Sequence, residues 1–151
     1  MAEPVIVYTD GASKGNQNAD RIAGWGIWFG DGDRRNACGR VPFERQTNQQ
    51  AEAYAAIKAL ETVTGDIEIR TDSQYLIGGM SGNKRNANVD LFERLDVLCR
   101  NRKVIWTKVK GHSGDVGNDA ADKLANEGCK KKFVPLKLWP LIAKMDDKTF
   151  R

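Results

Sequence analysis

"IVYTDGASKGN", residues 6–16, puts a single acidic side chain, Asp10, where an apolar run stops. Ile6, Val7 and Tyr8 are branched or aromatic and read as a buried strand, and Asp10-Gly11 reads as the turn that ends it. An aspartate in that place either makes the turn or holds something. The choice depends on whether the rest of the chain brings other carboxylates to it.

Working outward, "AGWGIWF" (residues 23–29) predicts a second strand, and residues 34–41 a third that returns through the "GDGD" hairpin. These three form an antiparallel meander. "QTNQQAEAYAAIKALETV" (46–63) carries Ala53, Ile57, Leu60 and Val63 at helical spacing, with Thr47 or Asn48 as N-cap. A strand at 66–72, a short helix at 73–80, an amphipathic helix at 88–101, a strand at 104–109 and a helix at 117–131 follow. Strands that meander first and then alternate with helices predict an α/β fold: a five-stranded mixed sheet, the last two strands added in parallel.

The chain has 151 residues, 40% hydrophobic and 29% charged, which suits one globular domain rather than a disordered chain. No apolar run approaches the roughly 18 residues of a membrane span, and no basic-then-apolar leader opens the sequence. A soluble, non-secreted protein is expected. Cys38, Cys99 and Cys129 are odd in number and form no metal-binding spacing. Neither a disulfide framework nor a zinc site is indicated. A net charge of +4 favours a nucleic-acid partner without requiring one.

In an open α/β sheet, functional groups collect beyond the carboxyl ends of the strands. Asp10 ends the first strand and Asp72 the fourth, so parallel neighbours would bring the two carboxylates side by side. That arrangement repels unless a proton or a cation lies between them. Each also has an ordinary reading, Asp10 as a turn residue and Asp72 as a helix N-cap. Glu52 lies in the first turns of its helix, one position off the apolar stripe, or is a surface glutamate at the helix's positive end. Asp119 and Asp122 open the last helix, and Asp122 borders the buried stripe. Such carboxylates, without cysteine or a histidine cluster, are ligands for Mg²⁺ or Mn²⁺. Two such ions can activate water against a phosphodiester without a protein nucleophile.

In this order, "YTDGASKGN", "RQTNQQAE", "TDSQY", "NVDLFERLD" and "VKGHSGDVGNDAADKLA" resemble type 1 ribonuclease H, which cuts the RNA strand of RNA·DNA hybrids. The resemblance runs from Val5 to about Lys130. It implies the ribonuclease H-like fold, a catalytic domain over residues 1–132, and a metal-binding quartet of Asp10, Glu52, Asp72 and Asp122. Asp10 and Asp72 would hold two Mg²⁺ ions, with Mn²⁺ as a substitute, and Glu52 and Asp122 would complete one each. His112, the sole histidine, falls where the family places a mobile residue that assists proton transfer or product and metal release.

The resemblance further implies that Ser13, Asn16, Asn48 and Gln49 reach RNA 2′-hydroxyls or base edges. Arg45, Thr47 and Asn88 would form a pocket for a DNA phosphate, and Tyr75 would stack near a DNA sugar. Thr47 and Asn88 also read as helix caps, and Tyr75 as core. An RNA·DNA hybrid is the expected partner, in the cytoplasm, nucleoid or nucleus, with no membrane contact and with the chain acting as a monomer.

Two features depart from the family. Between Tyr75 and Asn88 the chain has only "LIGGMSGNKRNA", without the Trp- and Lys-rich segment that grips the hybrid in many members, and Lys84-Arg85 reads as a remnant of it. Residues 133–151 have no counterpart. Their apolar side chains, from Phe133 and Val134 to Leu141 and Ile142, are expected to pack on the same domain; the alternatives are a partner or a second copy. A hybrid-binding module without catalysis is the rival reading, but binding alone needs no anionic pit facing a polyanion. An aspartyl-phosphate phosphatase fails because Tyr8 stands where a second aspartate is required.

Overall fold

The computed structural model describes residues 3–15, 20–111 and 113–136. Its sheet comprises β1 (Val5–Lys14), β2 (Ile22–Trp28), β3 (Ala37–Arg40), β4 (Ile67–Thr71) and β5 (Val104–Lys108), in the order β3-β2-β1-β4-β5. The helices are α1 (Asn48–Thr62), α2 (Gln74–Met80), α3 (Val89–Leu98) and α4 (Val116–Gly128). β1, β2 and β3 pair antiparallel, while β4 pairs parallel to both β1 and β5. This is the mixed sheet expected from the order of elements.

One local expectation is overturned. Asp10-Gly11 is no turn: β1 continues through it to Lys14, and Asp10 pairs with Gly26 of β2. What ends near Asp10 is the ladder to β4, whose last pair is Tyr8 with Arg70. Gly11 serves close packing instead. A Cβ there would lie 2.5 Å from the Glu52 backbone nitrogen, so only a hydrogen lets α1 sit this low on the strand. On the other face, a Cβ at Gly26 would lie 2.6 Å from the Ala125 nitrogen of α4.

The principal core lies between the sheet and α1, α2 and α3, where Val7, Ile27, Ile57, Ile69, Leu76 and Phe92 are buried. Each large aliphatic or aromatic side chain so buried contributes about 1.5–3 kcal/mol. α1 is buried more widely than its predicted stripe, with Ala51, Glu52, Tyr54 and Ala55 included, because both the sheet and α3 pack on it. Its start is set by Thr47, whose Oγ1 accepts from the Gln50 N–H at 3.1 Å. Its end is tied by Arg102, which donates to the carbonyls of Leu60 (2.9 Å), Gly65 (2.7 Å) and Val63.

Of the C-terminal extension, Leu136 packs against the principal core and its N–H donates to the Pro42 carbonyl at 3.0 Å. Phe133 and Val134 are exposed. The apolar residues Leu138, Trp139, Leu141 and Ile142 lie outside the described residues.

Candidate active site

Three elements deliver three carboxylates to one point. β1 carries Asp10, α1 presses Glu52 down beside it through the close contact at Gly11, and Asp72 follows the last residue of β4. One oxygen from each lies within 4.8 Å of the others. Asp10 and Glu52 are buried, Asp72 half so. An open pocket of about 470 Å³ exposes the cluster, and Asp122 of α4, Asn48, Gln49 and Tyr75 complete its walls.

The electrostatics follow from this crowding. Burial pushes the Asp10 carboxyl up to about 9, assisted by the charges of Glu52, Asp72 and Asp122 and opposed by the Gly11 N–H, which donates to its Oδ1 at 2.9 Å. Burial likewise pushes Glu52 up to about 7, with Asp72 adding to the rise and hydrogen bonds from Ser73, Asp10 and Gly11 offsetting part of it. A site with no cation therefore retains protons near neutral pH. A bound divalent cation would displace them. Clustered all-oxygen donors that cannot readily ionise together are the donor set such an ion fits.

Asp122 and Asp119 separate as the helix-face argument requires. Asp122 faces the carboxylate pocket, whereas Asp119 lines another, with Trp28, Asn36 and Val116. Asp72 is not the N-cap of α2. That role belongs to Ser73, whose Oγ accepts from the Leu76 N–H at 3.0 Å, leaving Asp72 free to face the pocket.

Around the pit, Arg45 and Asn88 share a second pocket of about 400 Å³ with Phe43 and Gln50. Thr47 commits its hydroxyl to α1 as described. Asn88 stands at the start of α3 in the left-handed region (φ 57°) and makes no side-chain cap bond. Its Nδ2 donates instead to the Tyr75 hydroxyl at 2.9 Å. Tyr75 both borders the pit and packs edge-on against Phe92, with ring centres 5.5 Å apart. Ser13 lies half-buried on β1, beyond Asp10. Arg85, read with Lys84 as a remnant of the basic grip, forms a paired contact with Asp96 at 2.6 and 2.9 Å. Asn16 and His112 lie outside the described residues.

Two neighbours of Asp72 escaped the sequence reading. Asn118, 2% exposed, approaches Asp72 Oδ2 with its Nδ2 at 3.5 Å. A Cβ at Gly111 would lie 2.6 Å from the same oxygen. Asn118 stands four positions before Asp122, so shared helix face was the signal that could have found it. Gly111 carried no such signal.

The family model for RNase H matches residues 2–130. A ribonuclease H from Ruthia magnifica is 43% identical over 139 residues, covering 81% of this chain and 92% of that one. Human ribonuclease H1 is 37% identical over 149 residues, covering 87% of this chain but only 52% of its own. Among solved structures, LC11-RNase H1, determined in complex with an RNA/DNA hybrid, superposes with a TM-score of 0.66 at 26% identity, covering 83% of this chain and 96% of that one. LC9-RNase H1, a type 1 enzyme with the type 2 active-site motif, shares the fold with a TM-score of 0.67 at 23% identity, covering 86% and 74%.

Proposed function

The chain belongs to the ribonuclease H family, and from that membership we propose that it is a metal-dependent endonuclease that hydrolyses the RNA strand of RNA·DNA hybrids, leaving 5′-phosphate and 3′-hydroxyl ends. The observation that carries this reading is the meeting of Asp10, Glu52 and Asp72, from three separate elements, within 4.8 Å. A fold gains no stability from three carboxylates so placed, since each raises the cost of ionising its neighbours. The arrangement makes sense as a cation site.

Hard carboxylate oxygens favour Mg²⁺, with Mn²⁺ able to substitute. Asp10 and Asp72 would hold both ions of a pair, and Glu52 and Asp122 one each. When bound, such a pair supplies the positive charge that activates water and stabilises the leaving oxygen of the phosphodiester. The surrounding side chains select and orient the substrate. Asn48 and Gln49 border the carboxylates, where uncharged amides can hydrogen-bond to 2′-hydroxyls and base edges without adding charge. Ser13 and Asn16 would extend those contacts along the RNA strand. Arg45 and Asn88, with Thr47, would receive a phosphate of the DNA strand, and Tyr75 would stack against its sugar. His112 would carry a proton during turnover.

The test incubates labelled RNA·DNA hybrid, single-stranded RNA and duplex RNA with the protein, in Mg²⁺ and in EDTA. Cleavage is expected for the hybrid alone and only with Mg²⁺, and Asp72→Asn should abolish it while leaving hybrid binding intact. Undiminished cleavage by that variant or in EDTA would sink the proposal.

A further inference from the structure

α4 runs alongside the far half of β1, away from the carboxylates. Asp122 and Asp10 line the pit together. Further along both elements, Cys129 packs on Ala12, its Sγ 3.7 Å from the Ala12 carbonyl oxygen. Just past this contact both elements end in positive charge. Lys14 closes β1 and is exposed, and Lys130, Lys131 and Lys132 leave α4 exposed in succession.

Arg40 at the end of β3 joins them. Its guanidinium donates to the Lys131 carbonyl at 3.4 Å and stands over the Phe133 ring at 5.6 Å. The Cys129 thiol registers the company: burial raises its pKa, while the charges of Lys14 and Arg40 pull it back. Lys14, Arg40 and Lys131 thus meet at the ends of three elements, with Lys130 and Lys132 exposed on either side of Lys131 along the chain. Glu127 pairs with Lys130 at 3.3 Å, and Gln46 Oε1 accepts from Arg40 Nε at 2.8 Å. Lys14, Lys131 and Lys132 turn exposed side chains to solvent.

Two rulers give the distance from the pit. Four residues of strand from Asp10 to Lys14 span about 13 Å. Eight residues of helix from Asp122 to Lys130 span about 12 Å. One strand of a duplex advances roughly 3.4 Å per phosphate, so this interval corresponds to about three or four phosphates.

We infer that the basic ends of β1 and α4 form a second contact site for the sugar-phosphate backbone of the hybrid, about three or four nucleotides from the bond cleaved at the carboxylates. The inference rests on the function proposed above and extends its substrate surface beyond the pit. Phosphate is the chemistry that fits: exposed ammonium groups on flexible stems act as point charges and read no sequence.

The decisive measurement is the salt dependence of hybrid binding, taken in EDTA on a 24-base-pair hybrid, for wild type and for the triple variant Lys130→Gln, Lys131→Gln, Lys132→Gln. The slope of log K against log salt should become shallower by about two. In Mg²⁺ at about 0.15 M salt the variant's KM should rise roughly tenfold with kcat unchanged, because only ground-state binding is lost. The corresponding triple Lys→Arg variant should keep both the slope and KM. Identical slopes and KM for wild type and the Gln variant overturn the second site, as does an Arg variant that behaves like the Gln one. A wild-type protein that leaves the hybrid intact in Mg²⁺ overturns the proposed function itself.

Discussion

Asp10 on β1 and Asp72, one residue past the end of β4, stand in equivalent positions relative to the parallel ladder between those strands. The ladder between β1 and β4 ends with Tyr8 opposite Arg70, and two residues further along each chain stand the two aspartates. Strand spacing alone, about 4.8 Å, therefore brings their backbones together. Glu52 then arrives over Gly11. The site is a property of sheet register and of one missing side chain, and the predictions below probe each part.

Asp10→Asn should stabilise the protein in EDTA. The folded-state pKa of Asp10 is raised to about 9, so between the ordinary carboxylate range and that value the folded state binds more protons than the unfolded one. Wild-type stability then falls as pH rises through this window, whereas the amide escapes the penalty. A gain of about 1–3 kcal/mol at pH 8, nearly absent at pH 4, is expected from urea denaturation at the two pH values. Equal gains at both would contradict the linkage.

Divalent metal should reverse the same penalty. Millimolar Mg²⁺ should raise the wild-type Tm, and raise it more at pH 8 than at pH 6, since binding must displace the protons held by Asp10 and Glu52. Thermal melts with and without Mg²⁺ read this directly. Asp10→Asn should show little metal-dependent shift at either pH.

Gly11→Ala tests how Glu52 is seated. The added methyl would meet backbone atoms of Ala51 and Glu52 at 2.7 and 2.5 Å, and neither can yield without moving α1. A loss of about 1–3 kcal/mol or more is expected on denaturation, together with weaker metal binding by calorimetry.

Thr47→Ala should cost about 1 kcal/mol through loss of the α1 cap, and Thr47→Ser should restore it. Arg45→Ala, by contrast, should leave stability nearly unchanged and raise KM for the hybrid, because its role is proposed to be phosphate contact. Chemical denaturation and steady-state kinetics on the same pair of variants separate the two.

Long-range order was readable in this sequence where periodicity and element order determine it. The strand meander, the parallel additions and the meeting of Asp10 and Asp72 follow from those patterns, whereas Glu52 and Asp122 joined them through the family resemblance. The misreadings were local. Asp-Gly is a common turn signal, yet β1 runs straight through it because β2 continues to pair there after β4 has stopped. Ser73 displaced Asp72 as cap because two capping residues stood side by side, and only the backbone geometry chose between them. Asn88 does stand at the N-cap of α3, but its side chain bonds Tyr75 rather than the helix, a partner no local pattern announces. The pairing of Arg85 with Asp96, eleven residues away, carried no signal in the sequence.

β1 changes character along its length. Val5–Tyr8 pair with β4 and Tyr8–Lys14 pair with β2, so the strand passes from one neighbour to the other at Tyr8. Burial also falls from Val7 to half-buried Ser13 and exposed Lys14, so amide hydrogen exchange should be slow at Val7 and faster toward the end of the strand. The handover falls at Tyr8, two residues before Asp10. Asp10 is held by its pair with Gly26 of β2 alone, its other edge open toward Asp72, and the residues proposed to contact the nucleic-acid backbone lie further along the same ladder.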